Sequence, residues 1–197
     1  MGDQTKAAPK VRTLVYAWAI LGVLILLGQG LVKLVPVAGQ AVFGPLSLGE
    51  RITLWLFVIL NFYLEGYRGF QLRFVPRVVS RALYLARSPA PAPWTLLLAP
   101  LFAMGYFHAK RRARLSAWLV SGLVVLAIVA VRHLPHPWRG IVDAGVVAGL
   151  GYGTLIFVYQ AIQSGITGVS GADADVPSPG AQPSKMPIDG APGSETG

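Results

Sequence analysis

Cysteine is absent from the 197 residues. That excludes disulfides, thiolate metal sites and cysteine nucleophiles. Charge is scarce as well: Asp, Glu, Lys and Arg make up 13% of the chain, against about a quarter in soluble domains. Acids are the scarcer sign, 8 against 17 Lys and Arg, which leaves a formal charge of +9. Catalytic signatures are missing too. There is no HExxH, GxSxG or P-loop pattern, and no nucleophile–base or metal set stands out. His133 and His136 sit three apart in "HLPHPWRG", but a metal site normally needs three or four ligands, and the flanking prolines read as a tight turn. No cofactor is expected, and an enzyme is disfavoured.

What the chain has is apolar length. Hydrophobic residues make up 54% of it, and the mean hydropathy is +0.57. Apolar runs lie at about 13–35, 51–70, 93–109, 115–134 and 140–162. Several approach the roughly 20 residues that span a hydrocarbon core. A signal peptide is a poor fit for the first run, because its apolar stretch exceeds the roughly 7–15 residues of a signal core. "VAGQA" at 37–41 is therefore not read as a cleavage site. Trp18, Trp55, Trp94, Trp118 and Trp138 fall near run ends, as interfacial tryptophans do.

Basic residues then set the topology. Lys6, Lys10 and Arg12 precede the first run, and none lies in the connection 36–50. Arg68, Arg73, Arg77, Arg81 and Arg87 follow the second run, and Lys110, Arg111, Arg112 and Arg114 follow the third. If every run crossed, one of these clusters would lie outside, against the positive-inside bias. The conflict largely disappears if 93–109 enters and returns. Its own sequence agrees, since Pro100 at its centre removes a backbone hydrogen bond and clashes with the preceding turn. The alternative is a Pro-kinked fifth span.

The expected fold is an all-α membrane bundle of four spans, 13–35, 51–70, 115–134 and 140–162, with 93–109 as a re-entrant or interfacial hairpin. Residues 1–12 form a basic cytoplasmic N-terminus. Residues 163–197 are rich in Gly, Pro, Ser and Ala with scattered acids, and read as a disordered cytoplasmic tail. Between spans, "PRVVSRALYLAR" at 76–87 puts Arg77, Ser80, Arg81, Tyr84 and Arg87 on one helical arc. Val78, Val79, Ala82, Leu83, Leu85 and Ala86 fill the other. That pattern predicts a helix lying in the membrane surface with its cations toward phosphate. The cluster Lys110, Arg111, Arg112 and Arg114 reads the same way, so anionic lipid is the expected partner and nucleic acid is not.

Within the spans, Asn61, Glu65 and Arg68 follow spacings of four and three. At the α-helical period they share a face, and Glu65 and Arg68 are placed to pair. Asp143 sits one turn into the last span with Arg139 four residues before it. Each is read first as a structural ion pair, and second as an intramembrane polar site for a transported ion or proton. Gly145, Gly149 and Gly153 in "GVVAGLGYG" form a small-residue strip that lets another helix approach closely, from this chain or from a second copy.

"LLLAPLFAMGYFHAKRR" and "PWRGIVDAGVVAGL" resemble stretches of uncharacterised multi-pass inner-membrane proteins of bacteria, over about residues 50–162. The resemblance implies a bacterial inner-membrane location and transfers no functional residue. The expected function is a non-enzymatic accessory or scaffold protein that packs with itself or with other membrane proteins and contacts anionic lipid. The alternative is a small transporter or channel subunit using the polar residues of the second and last spans.

Overall fold

The computed structural model describes residues 13–89, 91–174 and 176. The N-terminal segment 1–12 and most of the acidic tail lie outside the described residues. The described chain is helical, with no strand. Three helices are long and apolar enough to cross a membrane: α1 (Thr13–Phe43), α6 (Arg111–Arg132) and α7 (Trp138–Thr167).

α1 runs 31 residues and continues through Pro36, where the sequence suggested a connection. The proline removes one intrahelical hydrogen bond, but the turns beyond it are held from outside. Ala38 and Ala41 are buried. Gly140 of α7 faces Ala41 and the Val37 carbonyl so closely that any side chain at 140 would collide.

α2 (Leu48–Asn61) starts from a capping box, with Ser47 and Glu50 each bonding to the other's backbone amide. The Glu50 carboxyl is held below its usual value by the Ser47 hydroxyl, then by the Ser47 amide, and last by nearby His136. That proximity puts the α1–α2 turn and the α6–α7 turn at one end of the bundle.

α2 does not stop at Asn61. Residues Phe62–Phe74 wind as a π-helix and pass directly into α3 (Val75–Arg87), with every junction residue in helical backbone geometry. A π turn closes from i to i+5 and is wider than an α turn. It ends beside Pro76, which has no N–H to donate and would crowd the carbonyl four residues back in a tight helix. Winding the preceding turns wider relieves that crowding.

α3 is packed inside the protein. Its apolar arc of Val78, Val79, Ala82, Leu83, Leu85 and Ala86 joins the main core with Tyr16, Ala19, Ile20 and Val23 of α1, and with Phe157 and Ala161 of α7. The expectation of a helix lying open on the membrane surface took that arc to face lipid. Here protein covers it.

The 93–109 segment is broken into α4 (Pro93–Leu97) and α5 (Ala99–Met104), helices of 5 and 6 residues. Leu98 forms the break, and Pro100 sits in the first turn of α5. Gly105 ends the segment in the left-handed conformation at φ +89°, where a side chain would be strained. Neither helix approaches the length of a span. Both lie along the first turns of α1, where the Trp18 indole donates to the Leu97 carbonyl at 3.3 Å. Pro100 packs directly on Gly22, roughly 14 Å along α1 from its start at 1.5 Å per residue.

α6 differs from the rest. It has 22 residues and none is buried. A hydrogen bond between Tyr106 and Ser121 and an edge-on contact between Tyr106 and Trp118 brace it on the loop after α5. α7 is the opposite case, packed on α1, α2 and the π segment.

Candidate functional site

Gly145, Gly149 and Gly153 bring α7 close to the continuous helix of α2 and the π segment along one seam. Gly145 faces Asn61 and Phe57, Gly149 faces Asn61 and Glu65, and Gly153 faces Phe70. One turn further, Phe157 meets Phe74, with ring centroids 6.5 Å apart. The four partners on the first helix are thus Asn61, Glu65, Phe70 and Phe74, spaced by four to five residues. An α-helix at 3.6 residues per turn would carry that series off the seam. The wider π turn keeps it in line.

The approach is backbone to backbone. A Cβ built on Gly149 would lie 2.9 Å from the Asn61 carbonyl oxygen, and 3.1 Å from both Glu65 Cβ and Glu65 Oε2. Gly66 meets the other side of the same contact, its absent Cβ 3.1 Å from the Gly149 carbonyl oxygen. Gly151, on another face, has nothing within 4 Å. The Tyr152 hydroxyl donates to Gln71 and the Tyr152 ring stacks tilted on Phe62. These contacts fix the rotation of the two helices.

The polar residues divide. Asn61 and Glu65 come together at Gly145 and Gly149. The Asn61 amide donates to the Phe57 carbonyl of its own helix at 2.9 Å, so it is locally satisfied. Glu65 is half-buried with its carboxylate over the Gly149 backbone.

Arg68 does not join them. It is exposed, and among the described residues it makes no ion pair with Glu65. The expected pair required the α-helical period. In a π turn of more than four residues, positions three apart point in different directions.

Asp143 lies two residues before Gly145 and therefore off the seam. It is buried at 4% exposure, and Arg139 Nε lies 3.8 Å from its Oδ2. That oxygen accepts no hydrogen bond among the described residues.

The basic residues divide as well. Arg81 was expected to face lipid phosphate. It is 3% exposed instead. Its guanidinium donates to the carbonyls of Phe102 at 2.7 Å, Phe107 at 2.9 Å and Ala174 at 3.0 Å, and lies 4.5 Å from the Phe102 ring centroid.

The physical reason is the end of α5. The Phe102 carbonyl already accepts from the Gly105 amide at 3.0 Å and has a second lone pair for the guanidinium, and a cation is favoured at a helix C-terminus. Arg87, though exposed, donates to the Gly168 carbonyl just past α7, which is the same role. Lys110 pairs with Asp173 at 3.5 Å. Arg77 is half-buried, and Arg111, Arg112 and Arg114 are exposed.

No protein-family model, curated protein or solved structure matches this chain. The functional reading therefore rests on the geometry alone.

Several contacting residues were not singled out from the sequence. Gly66 in "LEGYRG" and Gly22 in "AILGVL" each carried a visible signal, a lone glycine within an apolar helix. Residues 168–174 carried none. Their composition reads as tail, yet α7 extends to Thr167 and the following segment crosses α3. The Ser80 hydroxyl lies 2.8 Å from the Ala172 carbonyl oxygen and 2.6 Å from that of Pro76, and shares its one proton between them.

Proposed function

We propose that this chain is a non-enzymatic integral membrane protein of the bacterial inner membrane, an accessory or scaffold subunit that packs with other membrane proteins or a second copy. In this reading it crosses four times with both termini cytoplasmic. The second crossing runs through α2 and the π segment, and 93–104 enters and returns on the cytoplasmic side.

α6 carries the reading. A 22-residue apolar helix without one buried residue contributes almost nothing to its own bundle, yet its sequence is as span-like as that of α1. Such a helix suits a surface that another helix completes, since in lipid close packing rather than hydrophobicity drives association.

The topology is supported by the gathering of bases at one end. The start of α1 is tied to the end of α7 by the Tyr16 hydroxyl donating to the Ala161 carbonyl at 2.7 Å. Lys110 and Asp173 join the start of α6 to the same region. The Arg-rich stretch, the 110–114 cluster and the chain after α7 thus lie together, as the positive-inside bias asks of a cytoplasmic face. Exposed Arg111, Arg112 and Arg114 suit contact with anionic headgroups there.

A photo-crosslinking residue at Val125 of α6 tests the assembly reading in intact membranes. A discrete higher-mass product is expected from Val125, and none from Val23 in the core. Cross-links to lipid alone would remove the subunit reading.

A second reading is favoured by Asp143, whose buried oxygen lacks a hydrogen bond, together with Glu65 over the Gly149 backbone. Intramembrane carboxylates commonly mark ion or proton paths. Flux in proteoliposomes that is lost in Glu65→Gln would select this transporter reading.

A further inference from the structure

We infer that residues 168–174, with Val176, form a detachable latch across the basic end of the bundle, and that an anionic lipid surface opens it. The lipid half of this rests on the headgroup contact proposed above; the latch itself does not.

The segment leaves α7 at Gly168, whose φ of +69° turns the chain sharply. It then runs over α3 without secondary structure of its own. α3, which the sequence marks as a basic amphipathic helix, turns its polar arc toward this segment. Arg87 donates to the Gly168 carbonyl, Ser80 to the Ala172 carbonyl and Arg81 to the Ala174 carbonyl. In these three bonds the donor is a side chain of α3 and the acceptor is backbone. Two side chains of the latch are held as well. Val176 packs against the main core, and Asp173 pairs with Lys110 at the start of α6.

The latch closes over the joint between α3 and the 93–104 segment. Arg81 holds the latch with one nitrogen, and with its others holds α5 through Phe102 and the loop after it through Phe107 and His108. Whatever lifts the latch changes the groups around the guanidinium that anchors the 93–104 segment.

The contact open to competition is the ion pair. Its two side chains are 53% and 78% exposed, so it is weak and screened. Lys110 is followed by exposed Arg111, Arg112 and Arg114. This is a cluster that attracts a negative membrane surface, and headgroup phosphates there compete with Asp173 for Lys110. An acid at 173 and a polybasic cluster at 110–114 then form an intramolecular switch keyed to lipid charge.

Because the chain lacks cysteine, Ser80→Cys reports the latch directly by its reaction rate with a water-soluble maleimide. The full-length protein is held in nanodiscs of phosphatidylcholine, or of phosphatidylcholine mixed with phosphatidylglycerol. Labelling should be slow in the neutral bilayer and faster in the anionic one. In the neutral bilayer, Asp173→Asn should raise it by up to about fivefold, the reach of an exposed ion pair. A chain ended after Ser170 should label fastest of all, with Ala19→Cys in the same truncated chain still protected.

Equal rates for Ser80→Cys with and without the segment would overturn the latch. So would labelling of Ala19→Cys after truncation, because the segment would then be part of the fold. If Asp173→Asn accelerates labelling and phosphatidylglycerol does not, the latch stands and its control by lipid is refuted.

Discussion

Adding one methyl group to Gly149 tests whether the seam is the contact that holds the bundle. Gly149→Ala and Gly151→Ala make the same chemical change two residues apart on α7. Both gain helix propensity, about 1 kcal/mol relative to glycine, so that contribution cancels between them. What remains is steric. At 151 the new Cβ meets nothing within 4 Å, and at 149 it meets the Asn61 carbonyl oxygen at 2.9 Å.

That obstacle is backbone and cannot rotate away, so the two helices must separate. Gly153 is a less direct test, because its Cβ would meet the side chain of Phe70, whose ring can turn although its Cβ, 2.7 Å away, cannot. Forcing extra volume into a packed site typically costs about 1–3 kcal/mol. Near the middle of that range, at about 2–4 °C per kcal/mol for a chain of this size, Gly149→Ala should melt roughly 5 °C below Gly151→Ala in the same detergent. Gly149→Ile should widen the gap. Equal melting temperatures, or a lower one for Gly151→Ala, would mean that the seam does not limit stability.

Gly22→Ala should lower the melting temperature, because its Cβ would collide with Pro100, whereas Gly39→Ala should not, having nothing within 4 Å; a matched pair of melts decides. Ser88→Cys and Ala113→Cys should both resist an impermeant thiol reagent in intact spheroplasts and both react after lysis. External labelling of Ala113→Cys alone would make 93–109 a true crossing. Arg81→Gln should cost about 3 kcal/mol or more, since buried carbonyls lose a charged donor, and Arg81→Lys should recover little of it because an ammonium lacks the planar fork. A urea-gradient unfolding series in detergent would reveal a benign Arg81→Gln. Glu50 has a lowered pKa, so its stabilising contribution is complete above the ordinary carboxylate pKa and fades as pH falls through the lowered value. Ser47→Ala should flatten that acid limb of the melting curve.

Composition was enough to read a helical chain with segments long and apolar enough to cross a membrane, because hydropathy is a property of the linear sequence. The apolar lengths of α1, α6 and α7 needed no partner to be recognised. The break in 93–104 was also legible, since Pro100 acts on its own backbone.

Side-chain direction was not legible wherever it depended on winding or on a distant segment. The Glu65–Arg68 pair assumed an α-helical period, and the π turn of 62–74 rotated the two apart. Gly66 and Phe70 pack against Gly149 and Gly153 along that wider winding, which ends beside Pro76. Arg77, Arg81 and Arg87 had the spacing of a lipid-facing stripe, but spacing fixes only which residues share a face. What that face meets was decided by the fold, which brought the carbonyl ends of α5 and α7 to Arg81 and Arg87. Arg81 is buried because the carbonyls of Phe102 and Phe107 satisfy its charge there, Arg87 donates to the Gly168 carbonyl while still exposed, and Arg111, Arg112 and Arg114 stay exposed.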